Sequence, residues 1–207
     1  MGKIESAVRG HTPRPVGRYG YSAVLIPLVN RDGELYLLYE VRSDEMKKQP
    51  GEIAFPGGKM EKGETPEQTA VRETCEELLV PERAVRFIAQ LDYIVSYSSF
   101  TMYSCLGEID ADALTAEPNR AEVKETFLVP LSFFLENEPE IYVNRVVPVI
   151  SEGFPLEKIH FKDGYSWREG KATVPIYTWR DPSIDADRVI WGLTARLTHS
   201  LVELIKG

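Results

Sequence analysis

Residues 57–80 read GGKMEKGETPEQTAVRETCEELLV, and this stretch decides the fold. It contains a helix with a clear start. Thr65 can cap it, Pro66 takes the first helical position, and Gln68 completes a capping box. Helical residues are predicted to run to about Leu79. Glu73, Glu76 and Glu77 stand at i, i+3 and i+4, so they share one helix face. Like charges at that spacing cost about 0.2–0.5 kcal/mol per pair. Glutamates usually mark a solvated helix face, but here they form part of an ordered set. A divalent cation such as Mg²⁺ is the natural offset, since it prefers hard oxygen ligands in an octahedral arrangement. Glu64 can add a fourth carboxylate, and a backbone carbonyl at the Gly57-Gly58 turn another oxygen. Arg72, four residues before Glu76, can orient carboxylates through its guanidinium fork.

Outward from this helix the chain alternates strands with turns. Tyr21 to Val29 is apolar and β-branched enough for a buried strand. Asn30 to Gly33 is a turn, because Asp-Gly reaches positive φ cheaply. Leu35 to Val41 closes the hairpin, and Glu52 to Phe55 is a short strand. Val85 to Val95 and Thr101 to Ile109 read as two more. Residues 111–120 are loop-like, Glu125 to Val129 is a strand, and Leu131 to Leu135 a short helix. Residues 138–187 are hard to read beyond an expectation of hairpins. From Ile190 to Ile205 the leucines 193, 197, 201 and 204 repeat at helical spacing. Residues 1–19, rich in Pro, Gly and Arg, are expected to form an arm, with one domain over 20–207. The order of elements suggests a mixed sheet with helices on both faces.

Composition narrows the partners. Of 207 residues, 24 are Lys or Arg and 32 are Asp or Glu, a net charge of -8. Such a chain is a poor general binder of nucleic acid or of anionic membrane. Two cysteines, Cys75 and Cys105, are too few for a disulfide scaffold and are expected to be buried thiols. No stretch approaches the roughly 20 apolar residues of a membrane-spanning helix. No signal core is evident, and Gly2 with Ser6 matches a lipidation pattern short enough to arise by accident. A cytoplasmic location is the expectation. His11, His160 and His199 show no metal spacing. Trp191 is expected to pack as core. Tyr93, Tyr97 and Phe100 can line a pocket but are equally ordinary at strand ends.

The helix segment resembles the Nudix box, G-x5-E-x7-R-E-U-x-E-E-x-G-U with U aliphatic. Gly58, Glu64, Arg72, Glu73, Glu76, Glu77 and Val80 fall in register. Thr74 stands at an aliphatic position, where it should only perturb packing. Leu79 replaces the second glycine, so the helix is expected to end differently. The resemblance implies an α/β/α sandwich of the Nudix type, with a mixed central sheet and a C-terminal helix. It implies hydrolysis of a nucleoside diphosphate linked to another moiety, with Mg²⁺ or Mn²⁺. The metal ligands would be Glu64, Glu73, Glu76, Glu77 and the Gly58 carbonyl. Glu76, Glu77 or Glu122 would accept the proton of the attacking water.

Residues upstream narrow the branch. Residues 38–58, LYEVRSDEMKKQPGEIAFPGG, are similar to the coenzyme A diphosphatase signature L-L-T-x-R-[SA]-x3-R-x3-G-x3-F-P-G-G. Arg42, Ser43, Gly51, Phe55, Pro56, Gly57 and Gly58 match. Lys47 replaces the second arginine, keeping charge without the planar fork. Tyr39 and Glu40 stand in place of Leu and Thr. Residues 122–135, EVKETFLVPLSFFL, and 190–196, IWGLTAR, resemble later segments of the same branch. The implied substrate is coenzyme A or an acyl-CoA, its phosphates met by Arg42, Lys47 and the Gly57-Gly58 turn. The alternatives are ADP-ribose, a dinucleotide or a nucleoside triphosphate as substrate, or a Nudix module that binds without catalysis. The sequence sets no oligomeric state, and a homodimer is compatible with it.

Overall fold

A computed structural model describes residues 2–11, 16, 19–114, 117–161 and 166–207. The hairpin expected around Asn30 to Gly33 joins strand β1 (Gly20–Arg31) to β2 (Glu34–Arg42). Asp32 and Gly33 take positive φ as the turn requires, and the Asn30 side chain accepts from the Gly33 N–H. β1 also pairs in parallel with β6 (Phe100–Ile109), which runs antiparallel to β5 (Val85–Val95). β2 pairs with β3 (Ile53–Ala54) and with β7 (Val123–Pro130). The short β4 (Gly57–Lys59) returns against β1. The result is a mixed seven-stranded sheet.

β1 and β2 are continuous apolar runs because both of their faces are covered. Ala23, Leu25 and Leu38 face helix α2 (Pro66–Leu78) and pack with Ala70 and Leu78. Val24, Ile26, Leu37, Tyr39 and Val41 face the other way. They pack with Ala195, Leu197 and Leu201 of helix α4 (Gly192–Lys206). Strand alternation thus builds an α/β/α sandwich of the kind the sequence suggested. Helix α3 (Leu131–Glu136) follows β7 and adds Phe134 to the α4-side core.

Residues 138–187 contain the hairpin of β8 (Glu140–Val146) and β9 (Gly170–Asp181), with β10 (Ala186–Ile190) completing a three-stranded sheet. β8 is almost wholly exposed. The far end of β9 is not: Tyr177 lies against Phe134 and hydrogen-bonds His199. That contact gives His199 a structural partner.

Several expectations need correction. The arm over 1–19 contains a helix, α1 (Gly2–Val8), although no residue of it is buried. Parts of that arm and of the 111–120 loop lie outside the described residues. Leu204 is not core, because every residue from Glu203 onward is exposed and the last turn of α4 runs past the packed face. Trp191 is 49% exposed at the start of α4. Cys105 is buried as expected, while Cys75 is half-buried.

Leu79 overturns the expectation about the helix end. It adopts the left-handed conformation, φ 54° and ψ 36°, that the usual glycine would provide. α2 therefore ends in the glycine manner without the glycine. A left-handed L-residue costs about 1–2 kcal/mol, and Leu79, 57% exposed, recovers little by burial. Leu79→Gly is expected to raise stability by about 0.5–1 kcal/mol, after the extra flexibility of an unfolded glycine is counted. Urea unfolding would measure it, and a destabilised variant would show that the Leu79 side chain matters more than its backbone strain.

Candidate active site

The cap of α2 forms as its residues suggest. Thr65 Oγ1 accepts from the Gln68 N–H at 3.2 Å, and Gln68 Oε1 accepts from the Thr65 N–H at 2.9 Å. This local lock sets the phase in which the later glutamates emerge. Arg72 then gathers three of them. Its Nε donates to Glu64 at 2.7 Å, and its Nη1 donates to Glu73 at 2.9 Å and Glu76 at 3.2 Å. Hydrogen bonds from Arg72 hold the Glu64 carboxyl down to about 2. At Glu73 burial wins, and its pKa lies above the ordinary value despite Arg72.

Glu77 is not bonded by Arg72 and is held instead by the turn before the helix. It is 3% exposed, and its Oε2 accepts from the Gly57 N–H at 2.8 Å. Burial first and the nearby Glu40 second push its pKa well above the carboxylate range. The glycines explain the close approach. Gly57 has φ 153°, and a Cβ there would meet the Ala23 carbonyl at 2.4 Å. A Cβ on Gly58 would fall 2.5 Å from the Glu73 carboxyl carbon. Glu73 therefore rests directly against the turn, with no side chain between them.

Glu122 sits half-buried on the loop before β7. That loop is tied to both neighbours of the site. Asn119 N–H donates to the Glu77 carbonyl, and Ser43 N–H donates to the Glu122 carbonyl, each at 2.8 Å. The Glu122 charge acts on Glu40, Glu73 and Glu77. Asn119 was not visible as a site residue from the sequence. Arg42 is half-buried, and its Nε is buried with no partner among the described residues. It lines a cavity of about 280 Å³ together with Phe55, Gly57, Met102, Trp191 and Leu197. Lys47 is exposed and forms no hydrogen bond or ion pair among the described residues.

One residue with no role assigned from the sequence belongs with this group. Glu40 is fully buried on β2, and neither of its carboxylate oxygens has a partner among the described residues. The signal was present in the sequence: an acid inside the apolar run LYLLYEV. Among the described residues no three or more His, Cys, Asp or Glu side chains are placed so that together they could hold a metal ion. Arg72 instead neutralises the outer carboxylates.

Chemically, the arrangement joins a carboxylate-rich helix, a backbone turn open to close approach, and a cavity with an unpaired guanidinium nitrogen. Residues 19–143 match the NUDIX domain. The chain is 37% identical over 142 residues to the peroxisomal coenzyme A diphosphatase NUDT7 of Mus musculus, covering 68% of this chain and 59% of that protein. The chain thus spans less than two thirds of that relative. It is 39% identical to an uncharacterized Nudix hydrolase, NudL, of Yersinia enterocolitica, over 89% of this chain and 81% of the relative. It is 30% identical to the mitochondrial coenzyme A diphosphatase NUDT8 of Homo sapiens, over 95% of this chain and 74% of the relative. Among solved structures, a MutT/nudix family protein from Enterococcus faecalis shares the fold. Its TM-score is 0.51 at 13% identity, over 100% of this chain and 70% of that one.

Proposed function

This chain belongs to the Nudix hydrolase family, and from that premise we propose that it cleaves the diphosphate bond of coenzyme A or an acyl-CoA to 3′,5′-ADP and (acyl-)4′-phosphopantetheine. The observation that carries the substrate is Arg42. Its Nε is buried and unpaired, and its side chain opens on the same cavity as Gly57, whose N–H holds Glu77. A guanidinium with an unmet donor beside acidic groups suits an anionic diphosphate. The coenzyme A diphosphatase names of the mouse and human relatives point the same way.

Mg²⁺ and Mn²⁺ take hard oxygen ligands, and the glutamates of α2 with the turn before it are donors of that kind. Glu73 lies against the Gly58 backbone with no side chain between them, and Arg72 holds Glu73 and Glu76 beside it. Glu64, Glu73, Glu76 and Glu77 would hold such an ion with the Gly58 carbonyl. When bound, the ion supplies neutralising charge for the diphosphate and a lowered pKa for the attacking water. Arg72 keeps Glu64, Glu73 and Glu76 gathered before substrate arrives. Glu76, Glu77 or Glu122 takes the water proton. Arg42, the Gly57-Gly58 turn and Lys47 orient the phosphates. Residues 20–207 act as one domain in this reading.

The test is product analysis by chromatography with Mg²⁺, offering CoA, acetyl-CoA, ADP-ribose, NADH and dATP. We expect 3′,5′-ADP from the two CoA substrates at rates at least about tenfold above the other three. Faster cleavage of ADP-ribose or dATP would overturn the CoA assignment and leave the family. No cleavage of any substrate would favour a binding module. A cytoplasmic location belongs to the same proposal. The mouse and human relatives are named for the peroxisome and the mitochondrion. No helix among the described residues is long and apolar enough to cross a membrane. Fractionation of cells producing the protein reads its location.

A further inference from the structure

Strand β2 carries an acid for which the box residues leave no role. Glu40 lies within five consecutive buried residues, Leu37 to Val41. Its flanking residues show which way it faces. Leu37, Tyr39 and Val41 join the core under α4, whereas Leu38 joins the core under α2. Successive strand residues alternate, so Glu40 points with Leu38 toward α2.

The charges around it there are those of the candidate site: Arg42, Glu73, Glu77 and Glu122. A buried carboxyl without a hydrogen bond costs free energy, and further carboxylates beside it raise that cost. Arg42 is the one nearby cation among these, yet its buried Nε is itself unpaired rather than bonded to Glu40. Two fully buried oxygens on the α2 side of β2, with no hydrogen-bond partner among the described residues, are placed to take a proton or a cation.

We propose that Glu40 is a further carboxylate ligand of the divalent cation, reaching it from the sheet while Glu73 and Glu77 reach it from the helix. The inference rests on the metal reading of the carboxylate helix given above. It makes the centre straddle two layers of the sandwich, so that cation binding ties α2 to β2. Cation binding then stabilises the fold as well as preparing the site for substrate.

The experiment is a Mn²⁺ titration without substrate, following the electron paramagnetic resonance signal of free Mn²⁺. The proteins are wild type, Glu40→Gln, Glu40→Thr and Glu77→Gln. Circular dichroism and melting in chelator check the fold of each, and the two Glu40 variants guard against one failing to fold. Both Glu40 variants are expected to bind Mn²⁺ at least about tenfold more weakly. Their metal-free melting temperatures should stay within about 4 °C of wild type. If Glu77→Gln weakens Mn²⁺ binding and the Glu40 variants do not, this inference falls and the metal helix stands. Glu40 would then be a structural partner for Arg42, a role that also predicts lower metal-free stability in the variants. If none of the variants changes Mn²⁺ affinity, the inference and the metal reading fall together.

Discussion

Glu77→Gln is expected to lower kcat by about a thousandfold, within the range for losing a positioned acid–base group or metal-bound carboxylate. Glutamine keeps the size of the side chain and one oxygen to accept from the Gly57 N–H, so the fold should survive. What it loses is the charge. Glu77 is almost wholly buried, its orientation is set by a 2.8 Å hydrogen bond, and Glu40 stands beside it. The same burial gives a second readout. Burial and the Glu40 charge raise the Glu77 pKa in the folded state above its unfolded value. The folded protein then holds a proton that the unfolded chain releases. Stability from this group is full below the ordinary carboxylate range and is lost as pH rises toward the folded value. Metal-free wild type should therefore melt at progressively lower temperature above about pH 4.5. Glu77→Gln should flatten part of that slope, and Glu40, shifted in the same direction, should account for more of it. A variant with wild-type kcat would remove Glu77 from the machinery. Unchanged slopes would refute the buried acid.

Arg188→Ala is expected to destabilise the protein by about 3 kcal/mol, the scale for breaking a buried ion pair on one side. Arg188 of β10 donates through Nε to Asp181 at 3.0 Å and through Nη1 to Glu125 of β7 at 2.7 Å. Its guanidinium carbon lies 4.5 Å from the centre of the Phe127 ring. It thus ties the three-stranded sheet to the main one. Asp181 is 2% exposed, and burial opposes its charge; Ser183 and Arg188 outweigh burial and keep its pKa below the ordinary value. Without Arg188, that charge loses its cation in a place water does not reach. For a chain of this size the loss corresponds to a fall in Tm of about 6–12 °C. Adding Asp181→Asn should recover part of it, because the amide still accepts from Ser183 and carries no charge to strand. Thermal melting of the single and double variants checks both. Full wild-type stability of Arg188→Ala would mean that solvent or local movement replaces the cation without cost.

The two predictions separate what local sequence reveals from what it hides. The carboxylate helix was legible because its information is local. Thr65, Pro66 and Gln68 set its start within four residues, and the phase of Glu73, Glu76 and Glu77 follows. The box residues and Arg42 could be named for the same reason, by fixed spacing. Lys47 could be named by spacing too, and it is exposed. The contacts of Arg188 were not legible. Its partner Glu125 lies 63 residues away, across strands whose order no periodicity reports.

The sequence alone determined the elements that depend on neighbours along the chain. Capping began α2, Asp-Gly closed the first hairpin, and apolar runs in β1 and β2 required cover on both faces. Only the tertiary structure decided which groups those elements bring together. The β1–β4 register carries Gly57 to Val24 and so aims its N–H at Glu77. Alternation along β2 places Glu40 under α2 rather than under α4. A shift of one residue in β2 would turn Glu40 to the opposite core. Leu79 takes a glycine's backbone conformation because the helix and the strand after it are both held by packing, which overrides the local preference. Capping and turn chemistry act over a few residues, whereas register and layer order arise from contacts between distant ones. That difference in range is why the helix could be read in advance and the buried acid beneath it could not be placed.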